Sequence, residues 1–573
     1  MRSAARRTSL EAVMGLGAAV LVLSAVGCGF KPTPPEQTGA GGASDAGVTG
    51  AGGSATGGSS ATGGRIGTDG GLGGTGPTHC NPCTDFPPTP IIDTPPGGSA
   101  PPSDVGSTFG PAGSGSATGG PCLLDPEDGS LFPKNWLRPR FALTPGMGED
   151  TFEIRVHADI ETNDLVVYTT GTTWTMPAAM WTALSMNVVD QPITVSVRGL
   201  VSGTGTVAMG PTATISIAPV QAQGTIVYWT TSGGSALKGF SVGDESVVTV
   251  ITPSNTPGKC VGCHSSTPGG EFIGFSNSTS TTNGDPSHIE IRSGTSPTTQ
   301  PAFLTADATT LLQRVSQELP VFSPAHWTTG DHVTVFMHAD STSASGQNTH
   351  LEWIDLEATS QTEGVGWGEF MRNGDSNPAV AYPFISHDGT KIAYVSAPSA
   401  NPSGILQHGD LYTVEWGNRM GGAATSIMGA DTTTYSEFYP AFSPDDTMVA
   451  YTRLPDGQDS YDNAMSEFFI INAAGGTPVR SVANDPGMCL GKTSPGITNS
   501  WPKWSPVVSA ANGKTYYWLI FSSTRSGNPQ LYVSAVVETE TSLTTTPALY
   551  LWNQPATENN HTPAWDTFSI PLP

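Results

Sequence analysis

A short motif recurs from about residue 222 onward and constrains the fold of this chain more than any other feature. Four clear copies carry a proline three residues before a serine: PVFSP from Pro320, PFISHDG from Pro383, PAFSPDD from Pro440 and PKWSP from Pro502. In each copy a polar turn follows the serine, and an apolar segment comes next. Proline presets φ, and Asp and Gly accept turn conformations, so each copy predicts a β-hairpin.

Two further copies depart from this pattern. TPAWDTF places Pro563 three residues before Asp566 at the C-terminus, with no strand after it, while apolar segments from 224, 235 and 246 have no opening copy. We therefore expect the last strand to join the first sheet, which also removes an exposed sheet edge. The sixth copy, CVGCHSSTPGGEFIGFS at 260–276, carries His264 where the other five have proline. Spacings of 56, 63, 57 and 62 residues separate the serine or threonine starts Thr267, Ser323, Ser386, Ser443 and Ser505.

Composition supports a β-rich chain. The sequence contains 70 Gly and 48 Pro, the two worst helix formers, and only 12% of its residues are charged, which excludes a helical solenoid or a coiled coil. The repeat resembles that of TolB-like β-propellers, with their proline, serine and Asp-Gly turn. The resemblance and the six copies together imply an all-β protein with a six-bladed β-propeller over residues 222–573. The net charge of −25 disfavours nucleic acid as a partner.

The N-terminus is typical of an exported protein. Three arginines precede a short apolar segment within residues 1–27, and LSAVG stands before Cys28. This resembles a bacterial lipoprotein signal, which implies lipidation of Cys28 and a place in the cell envelope, at the outer membrane or in the periplasm. An ordinary signal peptide with an incidental cysteine is the alternative. Residues 28–121 are rich in Gly, Ser, Thr and Pro, so we predict a disordered tether.

Residues 122–219 have a different pattern. Apolar and polar residues alternate in FEIRVHAD from 152, LVVYTT from 165 and ITVSVRGL from 193, with turn residues between the segments. Alternation with period two predicts half-buried strands, and about seven of them suggest an immunoglobulin-like sandwich. The opening DPEDGSLFPKNWLRPRFAL resembles the start of fibronectin type III-like modules.

The divergent copy contains the sequence Cys260-Val261-Gly262-Cys263-His264. This is the C-x-x-C-H pattern of covalent haem attachment, in which Cys260 and Cys263 add to the haem vinyl groups and His264 supplies an axial nitrogen to iron. The motif therefore predicts haem c as the cofactor. A local disulfide between the two cysteines, with an incidental histidine, is the alternative.

The second axial ligand is less sharply defined by the sequence. His561 comes first, because it lies just before Pro563 in the strand expected next to the haem motif. Met488, in the loop before Pro502, comes second, and an open iron position is the third case. The four remaining cysteines are expected to form two disulfides of open connectivity, as in other exported proteins: Cys80, Cys83, Cys122 and Cys489.

These features favour a membrane-tethered c-type cytochrome that transfers electrons or senses redox state, with a periplasmic or surface protein as partner. A haem-free propeller that binds protein or glycan is an alternative of another class, because a propeller fold does not fix a function. A peroxidase-like enzyme is a third, and it needs an open iron position. The sequence leaves open whether the protein is an enzyme.

Overall fold

The computed structural model describes residues 80–232, 234–278, 287–340, 348–401 and 405–573. The predicted signal peptide, Cys28 and the first part of the predicted tether lie outside these residues. The described chain is built mainly of β-strands. None of its helices is both long and apolar enough to cross a membrane.

The first region forms two sheets that share one apolar core. One sheet has the strand order β1-β6-β5-β8-β10-β3, with β9 on β8, and the other has the order β2-β4-β7; the elements are β1 (Ile91–Ile92), α1 (Val105–Phe109), β2 (Cys122–Asp125), β3 (Leu131–Phe132), β4 (Arg140–Thr144), β5 (Thr151–Ala158), β6 (Leu165–Thr169), β7 (Thr173–Thr175), α2 (Ala178–Asn187), β8 (Ile193–Val201), β9 (Thr206–Met209) and β10 (Ala213–Ile217). The alternating residues Phe152, Ile154 and Val156 of β5 are buried in this core.

The predicted tether needs a correction at its C-terminal end. Residues 80–121 are not a free linker, because β1 pairs with β6 and Phe86 and Phe109 are buried against the first region. The buried Arg198 guanidinium donates hydrogen bonds to the carbonyl oxygens of Phe109, Pro111 and Ser114 at 2.9–3.0 Å. A few large side chains and one buried cation thus order a segment whose average composition suggested disorder.

The second region contains the strands and helices of the repeats. They are β11 (Thr225–Thr230), β12 (Ala236–Ser241), β13 (Val248–Ile251), β14 (Cys260–Ser266), β15 (Phe272–Ser278), β16 (Ser287–Ser293), α3 (Ala306–Leu312), β17 (Gln317–Val321), α4 (Pro324–Thr328), β18 (Val333–Ala339), β19 (Thr349–Asp355), β20 (Trp367–Glu369), β21 (Met371–Asn373), β22 (Ala379–Ile385), β23 (Lys391–Ala397), β24 (Asp410–Glu415), β25 (Gly421–Ser426), β26 (Tyr435–Phe442), β27 (Met448–Pro455), β28 (Glu467–Asn472), β29 (Val479–Arg480), β30 (Asn499–Trp504), β31 (Ser509–Ala511), β32 (Lys514–Ser523), β33 (Gln530–Glu538), β34 (Leu543–Thr545), β35 (Leu549–Tyr550) and β36 (Asn560–Asp566).

These strands form six sheets in a propeller-type arrangement. The orders are β36-β11-β12-β13, β14-β15-β16, β17-β18-β19-β20, β22-β23-β24-β25-β21, β26-β27-β28-β29 and β30-β32-β33-β34, with β31 and β35 at the margins of the last sheet. The first strand of each order lies against the first strand of the next sheet, and β36 lies between β30 and β14. The expected pairing of the C-terminal strand with the first sheet is observed, with Ile226 opposite Trp565.

The repeat prolines mark a bulge in each of these inner strands. In β26 the pairing with β27 shifts between Phe438 and Ala441, so Tyr439 and Pro440 are extra residues. The residue before each repeat proline has positive φ, between 38° and 61°: Leu319, Tyr382, Tyr439, Trp501 and Thr562. Such bulges re-aim side chains. The bulge of β14 differs: its unpaired residues are Gly262 and Cys263, and His264 pairs with Phe275, whereas Pro440 is unpaired; beyond the bulge, Ser265 pairs with Gly274 as Ala441 pairs with Ala450.

Two kinds of link hold the first region against the propeller. The Cys122–Cys489 disulfide joins β2 to a short 3₁₀ helix (Met488–Leu490) that precedes the sixth sheet. The other disulfide, Cys80–Cys83, lies within the first region. The structure thus supplies the connectivity that spacing left open. The buried Arg525 side chain also donates to Glu127 at 3.2 Å. Apolar residues of the first region form one continuous core with those of the first and last propeller sheets.

Candidate functional site

A cavity of about 440 Å³ lies among the inner strands, and residues from all six sheets of the propeller line it. Its volume falls in the range of small-molecule and cofactor sites. The walls are mostly apolar, with Trp229 and Trp501 among the aromatic side chains and prolines of the repeats between them. The bulges explain why these side chains lie at the cavity wall, because the residues before the repeat prolines all contribute to the lining.

Cys263 and His264 both line this cavity. Cys263 is one of the two unpaired residues of the β14 bulge, and Leu319 and Tyr382 are likewise bulge residues that reach the cavity from neighbouring sheets. Cys260 is 2% exposed and lies three residues earlier in β14, outside the lining. Both thiols are free, so the alternative of a local disulfide between them is not what the structure contains. Burial raises the pKa of the Cys263 thiol, which therefore stays protonated at neutral pH.

His264 has one nitrogen engaged and one available. Its Nε2 lies 3.1 Å from the carbonyl oxygen of Val227, and its buried Nδ1 has no hydrogen-bond partner. A carbonyl oxygen only accepts, so Nε2 carries the proton and Nδ1 keeps a free lone pair. Burial lowers the pKa of His264 to about 4, so the ring is neutral. A neutral imidazole with an unused lone pair at a cavity wall is a competent metal ligand.

The structure separates the two candidates for a second ligand. His561 lies in β36 with its ring among the aromatic side chains behind the cavity wall, with centroids 5.9 Å from Trp229, 5.6 Å from Trp501 and 6.1 Å from Tyr461. Burial lowers the pKa of His561 to about 4, and its Nδ1 has no partner. His561 itself does not line the cavity, although the next residue, Thr562, does.

Met488 is not brought to the cavity. Its side chain is 86% exposed, and it lies beside Cys489, whose disulfide holds this loop against the first region. The sequence placed Met488 before the repeat at Pro502 but did not show which cysteine pairs with Cys489. Of the predicted set, the structure therefore brings Cys263 and His264 to the cavity, places Cys260 and His561 close behind the wall, and leaves Met488 at the surface.

Lys503 is a cavity residue that the sequence analysis missed. It follows Pro502 directly, and its Nζ lies 4.9 Å from the centre of the Phe384 ring. Burial lowers the pKa of Lys503 to about 8. A signal was present in the repeats, because PKWSP has lysine where PVFSP, PFISH and PAFSP have apolar residues.

Three tyrosines contribute hydroxyl groups and aromatic surface to the cavity: Tyr382, Tyr439 and Tyr461. The hydroxyl oxygens of Tyr382 and Tyr439 lie 3.5 Å apart, and Tyr439 donates to the carbonyl oxygen of Ser460 at 3.1 Å. The Tyr382 hydroxyl is also 3.2 Å from the Ser460 side chain. Next to Ser460, Tyr461 lines the cavity, and its ring is tilted against that of Trp501 with the centroids 5.5 Å apart. These bonds fix the rings and leave a rigid aromatic wall.

A second group of possible metal ligands lies in the first region, far in sequence from the cavity residues. Cys80, Cys83 and Asp85 bring one ligand atom each within 4.8 Å of one another. The two sulfurs are bonded to each other, however, and a disulfide sulfur is not a thiolate ligand. This second C-x-x-C serves as a structural link and a useful control for the first.

Comparison with known proteins gives a limited result. No protein-family model matches the chain, and no curated protein is significantly similar to it. Similar solved structures include an ancestral GH74 enzyme (12% identity, 58% of this chain and 39% of that chain, TM-score 0.36) and hydrazine synthase of Kuenenia stuttgartiensis (11%, 60% and 46%, TM-score 0.33). The β-propeller domain of the Trilobed protease from Pyrococcus furiosus is 11% identical over 51% of this chain and 96% of that domain, with a TM-score of 0.24. The chain spans less than half the length of the first two.

Proposed function

We propose that this protein is a haem-carrying propeller of the c-type cytochrome class, which transfers electrons or senses redox state outside the cytoplasm. The observation that carries the proposal is the position of Cys263 and His264. A C-x-x-C-H sequence places one free thiol and an imidazole with an unused lone pair at the wall of a cofactor-sized cavity, with a second free thiol, Cys260, outside the lining.

The residues present suit the group that the motif implies. Cys263 would hold haem through a thioether bond and His264 through its imidazole, while Cys260 would supply the second thioether from just behind the wall. Bound haem would supply one-electron chemistry. Trp229, Trp501 and the fixed tyrosines would exclude water and tune its electronic environment, since a buried, apolar surrounding is one of the protein's levers on haem potential. His561 stays the candidate for a second ligand.

The finer architecture belongs to the same proposal. We infer that each of the six sheets is one blade of a closed, TolB-like propeller and that the first region is an immunoglobulin-like module. The pairing of β36 with β11, and its position between β30 and β14, support closure of the ring. Two disulfides support folding in an oxidising compartment, in keeping with export and a lipid anchor at Cys28.

Covalent haem can be tested directly. We expect the full chain, produced in a host with haem-attachment machinery, to give a haem-stained band on a denaturing gel. Cys263→Ala should abolish most of the stain, because Cys263 is the thiol that lines the cavity. Cys260→Ala should keep part of it as a single-thioether product.

The second C-x-x-C provides the matched control. The Cys80→Ser/Cys83→Ser variant removes two cysteines of the same spacing that no histidine follows, and its stain should equal that of the unaltered protein. An unstained band from the unaltered chain would overturn the cytochrome proposal and leave the haem-free binding propeller as the better hypothesis.

A further inference from the structure

One unpaired cation faces the central cavity. Lys503 is the only lysine or arginine among the residues that line it, and no carboxylate of the described residues lies within 4 Å of its Nζ. Its contact is the face of the Phe384 ring, 4.9 Å from Nζ to the ring centre. Asp566, the one acidic residue of the lining, instead accepts a hydrogen bond from the backbone of Thr567 at 2.7 Å.

A lysine at position 503 is explained neither by the repeat pattern nor by a basic protein surface. The equivalent residue of the other inner strands is uncharged in every case: Ser265, Val321, Phe384, Ala441 and Ala564. The chain as a whole has a net charge of −25, so Lys503 is not part of a general basic surface. Enclosing an ammonium group without a counter-ion is costly, and the cost is removed when an anion binds beside it.

We propose that the central cavity binds the carboxylate of a compact, largely apolar ligand and that Lys503 is the residue that donates to this carboxylate. The aromatic walls suit the apolar body, and Lys503 suits the acid group, which is the usual composition of a ligand site: an apolar pocket with a few placed polar groups. Two sources share this chemistry. One is a haem propionate, which rests on the proposed function, and the other is a free organic acid.

The test separates carboxylate recognition from haem attachment. In a Cys260→Ala/Cys263→Ala background, which cannot hold haem covalently, quenching of tryptophan fluorescence reports binding of four probes: haemin, haemin dimethyl ester, benzoate and benzamide. We expect Lys503→Met to weaken binding of at least one carboxylate probe about tenfold or more, because a charge-assisted hydrogen bond is lost. The ester and the amide should bind both forms equally, and Lys503→Arg should keep most of the affinity.

The control is Lys514→Met, which removes an exposed lysine of the same sheet and should change no affinity. Dependence of haemin binding on Lys503 supports a propionate as the partner. Dependence of benzoate binding alone supports a free acid, and then the proposal stands even when the haem stain is absent. Equal affinity of Lys503→Met and its parent for both carboxylate probes, or no binding of either, would overturn the proposal whatever the stain shows.

Discussion

At the scale of single residues, the cavity contains polar groups that its surroundings do not satisfy. His264 keeps an unpartnered Nδ1, and Lys503 keeps an unpaired ammonium group. Interior polar atoms are nearly always paired, so each exception needs a physical reason. Both His264 and Lys503 line the same cavity, as expected of a site whose partners arrive with a ligand.

The unpaired ammonium group of Lys503 lowers the free energy of unfolding of the ligand-free protein. Burial lowers the pKa of Lys503 from 10.5 to about 8, so the unfolded chain binds more protons than the folded one between these pH values. The free energy of unfolding therefore rises with pH across that window. Below pH 8 Lys503 is charged in both states, and its burial destabilises the folded state in full. We expect Lys503→Met to stabilise the ligand-free protein at pH 7 by about 1–3 kcal/mol and to lose this advantage near pH 10.5.

Urea unfolding of the ligand-free protein at pH 7 and pH 10.5 measures this difference. Lys514→Met, which removes an exposed lysine, should change the free energy of unfolding at neither pH. A Lys503→Met protein that is less stable than its parent at pH 7 would show that the ammonium group is satisfied in the folded state.

At the scale of elements, one bulge repeated six times builds the site. In five inner strands the bulge lies at the repeat proline, and in β14 it lies at Gly262 and Cys263; each bulge brings a side chain to the cavity. The sequence predicted the repeat, its serine turns and the exceptional place of His264. It did not predict the bulge, because positive φ at Tyr382 or Trp501 is decided by pairing with the next strand and not by local preference.

The strand β36 pairs with β11 of the first sheet, and its removal should destabilise the protein. A chain that ends after Asn559 loses the pairing of Ala564 with Val227 and the buried Trp565, so β11 becomes an exposed edge. We expect this chain to melt at least 10 °C lower or to aggregate. A synthetic peptide of residues 560–573 should restore part of the lost stability.

A chain that lacks only residues 571–573 is the control for this truncation. It keeps β36 and loses a short end that includes Leu572, which is 92% exposed. Calorimetry should give it the melting temperature of the full chain. Unchanged melting of the longer truncation would show that β36 contributes little to closure.

At the scale of the whole molecule, the first region and the propeller form one packed body. Cys122 and Cys489 are 367 residues apart in sequence, and their disulfide joins the two regions. A disulfide that closes so long a loop strongly restricts the unfolded chain. We expect Cys122→Ser/Cys489→Ser to lower the free energy of unfolding by about 2–5 kcal/mol.

The Cys80→Ser/Cys83→Ser variant is the matched control, because its disulfide closes a loop of only three residues. Its effect on the denaturant midpoint should be clearly smaller. Equal losses in the two variants would argue that local packing, and not loop closure, accounts for the effect of the long-range disulfide.

The sequence by itself determined the β-rich class, the six repeats, the displaced last strand and the C-x-x-C-H motif. These are local or periodic features, and they follow from proline, turn residues and alternation. The tertiary structure decided which cysteines pair, that residues 80–121 pack instead of remaining free, that Met488 lies at the surface and that Lys503 faces the same cavity as His264. Most of these outcomes depend on contacts between residues far apart in sequence, such as Cys122 and Cys489, whose proximity is set by how the sheets pack.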